Sequence, residues 1–329
     1  MGDGLFEFDI KSDNLEQFLC AHSQKMKDVA AEIRLYAPLE FPLVIEGDSG
    51  VGKEIIATAL HELSGRSQFI VINMGEGPES LFESAIFGHK KGSFTGADHE
   101  RTGFIGQAKN GTIFMDEINS LPRSLQPKLL RVLENGTYWP VGSSKMEKTD
   151  ARFIFSSNQS LELLKSKGDL REDIFYRLGR IIRVPSLKER REDIPHIAER
   201  LIKIAKKKID KGFERSRKDG IGDLFQPVVT EAAMNKLVAY HWPGNIRQLK
   251  TVIERALLVS KDGRIRPENL DLPYPEESLE DFNSAMEKFA MEYFDRVGRI
   301  AGNNIKIGME ITGMTETTYR RKMRKFGRK

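Results

Sequence analysis

Two short stretches carry residue types suited to phosphate chemistry. The first, Gly47-Asp-Ser-Gly-Val-Gly-Lys-Glu54, follows the apolar run Pro42–Glu46 and opens a helix-forming segment, Ile55–Leu63. Glycines in that pattern let the backbone of Gly47, Asp48, Ser49, Gly50, Val51 and Gly52 wrap a phosphate with its N–H groups inward, while the helix N-terminus adds positive potential. Lys53 would reach the β- and γ-phosphates of a nucleotide. The general pattern ends in Ser or Thr, whose hydroxyl ligates magnesium; here Glu54 stands in that place. The second stretch, Gly111-Thr-Ile-Phe-Met-Asp-Glu117, is an apolar strand ending in two carboxylates. Asp116 can hold Mg2+, directly or through water, and Glu117 can polarise an attacking water. Asn158, after the run Arg152–Phe155, can orient that water or sense the γ-phosphate. Taken singly, a glycine-rich turn, paired acids at a strand end and an Asn in a turn are all ordinary. Together they point to ATP and Mg2+.

The elements that must position these groups are legible as short apolar runs separated by helical patterns: Pro42–Glu46, Gln68–Asn73, Thr112–Met115, Arg152–Phe155 and Arg180–Val184. Such runs predict buried strands of a parallel α/β sheet. After Pro185 the strands are expected to stop. A helical region follows, interrupted by a charged loop near Lys211–Gly222 and resuming over Thr230–Ser260. Leu272-Pro-Tyr-Pro-Glu276 reads as a stiff connector. The expected organisation is an unassigned segment 1–14, an α/β part 15–187, a helical part 188–271, a linker 272–277 and a small all-helical unit 278–329.

Bulk properties limit the function classes. A chain of 329 residues with 30% charged and 39% hydrophobic residues is ordinary for a soluble globular protein. The net charge of +4 is mild, but Arg320–Lys329 carries seven basic residues and no acid, which suits phosphate contacts and equally suits a solvated end. One cysteine, Cys20, leaves no disulfide framework or cysteine-based zinc site. Without a signal peptide or a long apolar run, a cytoplasmic protein with no membrane segment is expected.

Read together, these residues resemble the AAA+ domain of sigma-54-dependent transcriptional activators, the bacterial enhancer-binding proteins, from about Leu43 to Asp271. Besides the phosphate loop, whose acidic residue after Lys53 is this family's usual form, three stretches carry the resemblance. These are Glu83-Ser-Ala-Ile-Phe-Gly-His-Lys-Lys-Gly-Ser-Phe-Thr-Gly-Ala97, Leu170-Arg-Glu-Asp-Ile-Phe-Tyr-Arg-Leu178 running on to Val184–Ile194, and Trp242-Pro-Gly-Asn-Ile-Arg-Gln-Leu249. The implied fold is a P-loop AAA+ parallel sheet with a helical lid. The resemblance makes Phe94 and Thr95 the contacts to sigma-54, on a loop that Gly92 and Gly96 free to swing, with Ser93 where Ala is usual. It makes Arg171 and Arg177 groups that project into a neighbouring subunit's ATP, which requires a ring, usually a hexamer. The other reading of these arginines is a surface salt bridge with Glu172 or Asp173. Arg247 matches a sensor arginine of the lid, and Asn73 a residue that restrains the catalytic Glu117.

The C-terminal stretch resembles the Fis-type helix-turn-helix that ends these activators. Ser278–Gly298 reads as an amphipathic helix with Leu279, Phe282, Met286, Phe289, Tyr293 and Phe294 on its apolar side. A short helix, a turn at Gly313 and a helix from Thr315 follow. Thr315, Glu316, Thr317 and Arg320 would face base edges of double-stranded DNA, with Arg321, Lys322, Arg324 and Lys325 on phosphates. Gly308-Met309 stands where two alanines are usual, and glycine weakens a helix by about 1 kcal/mol against alanine. A helical dimerisation tail is the other reading. The functional expectation is an ATP-dependent activator that remodels the sigma-54 RNA polymerase closed complex. Its rivals are a DNA-binding regulator independent of sigma-54 and a general AAA+ remodeller. With only about forty residues before the first strand, control is expected from a separate regulatory protein, or the chain is part of a longer one.

Overall fold

The computed structural model describes residues 10–75, 79–216, 227–260, 262–272, 282–302 and 304–326. It divides into two units, Met1–Asp271 and Leu272–Lys329.

In the first unit, α1 (Leu15–Leu19) and α2 (Gln24–Tyr36) lead to β1 (Leu43–Glu46), α3 (Lys53–Glu62) and β2 (Phe69–Asn73). Next come α4 (Glu79–Phe87), the paired two-residue strands β3 (Gly88–His89) and β4 (Arg101–Thr102), α5 (Phe104–Gln107) and β5 (Thr112–Asp116). Then α6 (Gln126–Asn135), a second short pair β6 (Thr137–Tyr138) and β7 (Glu147–Lys148), β8 (Arg152–Ser157), α7 (Leu161–Lys167), α8 (Glu172–Arg177) and β9 (Ile181–Arg183) complete the α/β part. Ser12–Asn14, within the segment left unassigned from sequence, forms a single 3-10 turn.

The five expected strands form one parallel sheet in the order β2-β5-β8-β1-β9. The apolar stretches of β1, β5 and β8 follow from burial on both faces, whereas the outer strands β2 and β9 expose Val71 and Arg183. Side chains alternate between two cores: Val44, Ile113, Met115, Phe153 and Phe155 enter one. Leu43, Ile45, Phe114, Ile154 and Ile182 enter the other. The C-terminal ends of β1, β5 and β8 lie side by side, so the phosphate loop, Asp116–Glu117 and Asn158 emerge at the same sheet edge, where open parallel sheets hold their ligands.

The lid is built from α9 (Ile194–Ser216), α10 (Glu231–Ala239) and α11 (Asn245–Val259). Two expectations change here. Strands do not stop at Pro185: β10 (Val228–Val229) and β11 (Arg264–Ile265) pair in parallel and tie the start of α10 to the segment after α11. The charged stretch from Lys211 is helical through Ser216, and its remainder lies outside the described residues.

The second unit is three helices, α12 (Phe282–Ala301), α13 (Ile305–Thr312) and α14 (Glu316–Phe326). Asn304 caps α13, its Oδ1 accepting from Lys306 N, and Gly313 ends α13 in the left-handed conformation. Phe294, Val297, Tyr319 and Phe326 form the core. The expected apolar side of α12 is only partly covered: Phe294 is buried, whereas Met286 and Phe289 are 49% and 63% exposed. Leu279 lies outside the described residues, and Phe282 is described in its backbone alone.

Gly308 has a structural reason. A Cβ there would lie 2.3 Å from the buried ring of Tyr319, so the glycine makes room for that ring. Gly308→Ala would gain about 1 kcal/mol of helix propensity and lose about 1–3 kcal/mol to overpacking. A lower melting temperature for this unit is expected, read by hydrogen exchange of the α13 and α14 amides. Unchanged or greater protection in the variant would remove this account of the glycine.

Candidate nucleotide site and partner-facing loop

A cavity of about 770 Å³ gathers Ser49, Gly50, Gly52, Lys53, Glu54, Asn73, Asp116, Glu117, Asn158 and Arg247. Gly47, Asp48 and Val51 belong to the loop without lining the cavity: Val51 is buried in the core behind it. Gly50 and Gly52 have φ of +77° and +103°, the left-handed region in which only glycine is unstrained. Lys53 donates from Nζ to the carbonyls of Gly47 (2.8 Å) and Asp48 (3.1 Å), folded back over the loop. Burial pushes its ammonium below the ordinary lysine range, with Asp116 and Glu117 acting in the opposite sense.

The two carboxylates are fixed by a residue the sequence reading passed over. The Ser156 hydroxyl, fully buried at the end of β8, donates to Asp116 Oδ1 and accepts from Glu117 N at 3.0 Å. Glu117 has φ +62°, a left-handed conformation rare for a non-glycine residue. Its carboxylate lies beside Asn73 across Gly75: a Cβ on Gly75 would be 2.7 Å from Glu117 Oε2 and 3.4 Å from Asn73 Oδ1. Asn73 Oδ1 itself accepts from Gly75 N at 2.9 Å. The signal for Ser156 was present as a polar Ser156-Ser157-Asn158 ending on an otherwise apolar strand.

The lid meets the loop through the start of α11. Asn245 donates from Nδ2 to Ser49 O (3.0 Å) and accepts at Oδ1 from Leu187 N (2.7 Å), while Ile246 N donates to Gly50 O (2.9 Å). Arg247 Nη1 donates to Ser49 Oγ at 3.0 Å. Trp242, buried, anchors the turn by donating from Nε1 to Leu237 O at 2.7 Å, and both Trp242 and Asn245 take positive φ. Behind the loop, the buried Arg190 donates to Val51 O at 2.6 Å. Sequence reasoning named Arg247 and missed Asn245 and Arg190.

Arg171 and Arg177 do not line this cavity. Arg171 forms a two-pronged pair with Asp173, its Nη2 2.7 Å from Oδ2. Arg177 donates from Nε (3.0 Å) and Nη2 (2.7 Å) to Leu133 O near the C-terminal end of α6.

The loop between β3 and β4 closes on itself through Gly92 N to Ala97 O (2.8 Å) and Ala97 N to Phe94 O (3.0 Å). Gly92 and Gly96 have φ of +78° and +94° with open space around them. Phe94, 39% exposed, rests edge-on against His89 at 5.1 Å, and Ser84 Oγ lies 2.7 Å from His89 Nδ1. Thr95 is exposed. The Ser93 hydroxyl is buried without a hydrogen-bond partner among the described residues.

On α14, Glu316, Thr317, Arg320, Arg321, Arg324 and Lys325 line an open groove of about 600 Å³. Thr315 is exposed just before the helix, and Lys322 is half-buried with its ammonium 5.3 Å from the Phe326 ring. Arg320 pairs with Glu316 at 2.9 Å. No described helix is long and apolar enough to cross a membrane.

A parallel sheet in this order, a glycine-rich phosphate loop after β1, paired acids after β5 and a lid seated on the loop together define a P-loop AAA+ unit. Residues 19–183 match the family model of the sigma-54 interaction domain, and residues 188–286 match the AAA+ ATPase lid domain. The chain belongs to the sigma-54-dependent activator family. The lid match runs past the division between the two units, through the expected linker. The Nif-specific regulatory protein of Azotobacter vinelandii is 39% identical over 254 residues, covering 76% of this chain and 46% of that protein. The transcriptional regulatory protein ZraR of Escherichia coli K12 is 35% identical over 309 residues, 92% of this chain and 67% of ZraR. Among solved structures, NtrX from Brucella abortus in complex with ATP superposes with a TM-score of 0.65 at 30% identity, over 92% of this chain and 68% of that one. The chain thus spans about half the length of the Nif regulator and two thirds of ZraR.

Proposed function

We propose that this chain is an ATP-hydrolysing transcriptional activator that binds DNA and remodels the sigma-54 RNA polymerase closed complex as a ring, a hexamer in this family's usual form. The observation that carries the reading is the glycine-hinged Phe94 loop, built apart from the nucleotide cavity in a chain whose residues 19–183 match the sigma-54 interaction domain.

Within the cavity, Lys53 exchanges its two loop carbonyls for the β- and γ-phosphate oxygens of ATP. Asp116 would hold magnesium, which would supply neutralising charge to those phosphates. Glu117 takes the proton of the attacking water, Asn73 restrains its carboxylate, and Asn158 and Arg247 report the γ-phosphate to the sheet edge and the lid. Arg171 and Arg177 leave their resting partners to complete a neighbour's site, a role suited to a permanently charged, forked group. The exposed groove of α14 supports DNA reading, with Thr315, Glu316, Thr317 and Arg320 toward bases and Arg321 and Lys322 toward phosphates.

Phe94→Ala tests the reading. The Phe94 side chain rests on His89 and does not line the nucleotide cavity, so nucleotide binding and ring assembly should persist. An anchoring aromatic at an interface is worth about 2 kcal/mol or more, about thirtyfold in affinity. Wild type should co-purify with sigma-54 in the presence of an ATP transition-state mimic and form open complexes on a sigma-54 promoter. The variant should do neither. A wild-type protein that hydrolyses ATP normally and scores in neither assay would make a sigma-54-independent regulator the better reading.

A further inference from the structure

Gln126, the first residue of α6, is 1% exposed. It stands where α6 packs against α8, a contact whose Leu129, Leu133 and Ile174 belong to one apolar core. Its amide is committed to a stretch of chain far away in sequence. Nε2 donates to Asp169 O at 2.7 Å, and Oε1 accepts from Arg171 N at 2.9 Å. A third contact, from Nε2 to Leu121 O, is long at 3.5 Å.

Asp169–Arg171 is the link between α7 and α8. Asp169 N and Leu170 N bond back to Leu164 O at 2.9 and 3.2 Å, and Arg171 O accepts from Phe175 N at 3.0 Å. Arg171 itself is extended, with φ −65° and ψ 144°. Asp169 O and Arg171 N, two residues apart, thus take one side-chain amide as partner where a neighbouring strand's backbone would ordinarily serve. Arg171 immediately precedes α8 and Arg177 is its last residue. At rest, α6 therefore holds both ends of the arginine-bearing helix: Gln126 at the Arg171 end, and Leu133 O at the Arg177 end. A buried amide whose bonds are satisfied selects one arrangement of the elements it joins, which apolar packing alone specifies less sharply.

We propose that Gln126 is the positioning residue of the arginines that complete a neighbour's nucleotide site. Its amide fixes the backbone at Arg171, and with it the placement of α8, so that both guanidinium groups reach the phosphates from a defined origin. The exposed pair between Arg171 and Asp173 can open without disturbing that origin. This inference rests on the proposed action of Arg171 and Arg177 across a ring, and it adds a residue that touches no nucleotide.

The test uses Gln126→Met in the full chain, which keeps the bulk of the side chain and removes both hydrogen bonds, with Gln126→Ala beside it. A misplacement of about 1 Å in a reacting assembly costs about a hundredfold in rate, so kcat should fall by about that factor. Affinity for a fluorescent nucleotide and ring mass should stay close to wild type. Mixing then sorts the defect. Gln126→Met with Lys53→Ala should recover part of the activity, because an intact phosphate loop meets an intact neighbouring arginine. Gln126→Met with Arg177→Ala should recover none, because neither chain supplies a working arginine.

Arg177→Ala with Lys53→Ala is the control. If mixed control rings form and stay inactive, the action in trans fails and this proposal with it. If the control recovers, three results overturn the role of Gln126 alone: wild-type turnover in Gln126→Met, recovery with Arg177→Ala, or no recovery with Lys53→Ala. Loss of nucleotide binding or of ring assembly in both Gln126 variants makes the residue a general support of the fold and also overturns the proposal.

Discussion

Glu117→Gln is expected to bind ATP as wild type does and to turn it over hardly at all. Glutamine keeps the shape of the side chain, so it preserves the fit against Gly75 and Asn73, and it leaves the Ser156 contact to the main-chain N–H of residue 117 untouched. What it lacks is a basic oxygen able to accept the proton of water. Positioned general-base catalysis contributes about 10²–10⁴ in rate, so a fall of that order is expected in single-turnover hydrolysis. Affinity for a fluorescent nucleotide should stay close to that of wild type. Turnover at the wild-type rate would move the base elsewhere, with Asp116 the next candidate.

Arg177→Ala should produce the other large effect, and for a reason visible in a single protomer. The guanidinium donates twice to Leu133 O and does not line its own chain's cavity, so in the proposed ring it would act on the nucleotide of another copy. An arginine supplied in trans to a transferring phosphoryl group is worth about 10³–10⁵ in rate. Arg177→Ala alone and Lys53→Ala alone should therefore both be nearly inactive, for opposite reasons. Mixed, they should recover part of the activity, because some sites then join an intact phosphate loop to an intact neighbouring arginine. Mixed rings that form, as shown by mass measurement, and still fail to hydrolyse at any ratio would exclude catalysis across the interface.

The fold was legible where burial acts on long stretches. Strands β1, β5 and β8 are covered on both faces and so read as continuous apolar runs. The phosphate loop and the Asp116–Glu117 pair sit at their ends, where the chain turns polar. What stayed hidden depends on contacts between residues distant in sequence or on very short elements. Ser156 is an unremarked serine until β5 is placed beside β8. Asn245 gains its meaning only when the lid closes on Ser49. Gly308 looked like a weakness in α13 because helix propensity is local and the Tyr319 ring is not. The two-residue strands β10 and β11 are too short to show a period. Met286 and Phe289 fit the helical spacing of a buried face, yet the three-helix unit leaves them uncovered.

The three consecutive contacts from Asn245, Ile246 and Arg247 to Ser49 and Gly50 have a thermodynamic consequence. The loop proposed to grip the phosphates is itself held by the first turn of the lid helix, so a change in loop shape on nucleotide binding would be coupled to a change in lid tilt. Linkage between two such coordinates is reciprocal: if bound nucleotide favours one tilt by a given factor, imposing that tilt raises nucleotide affinity by the same factor. A neighbouring subunit that pushes on α11 would then set how tightly this chain holds ATP without touching the nucleotide. In the proposed ring, an occupied site could in this way alter the affinity of its neighbour.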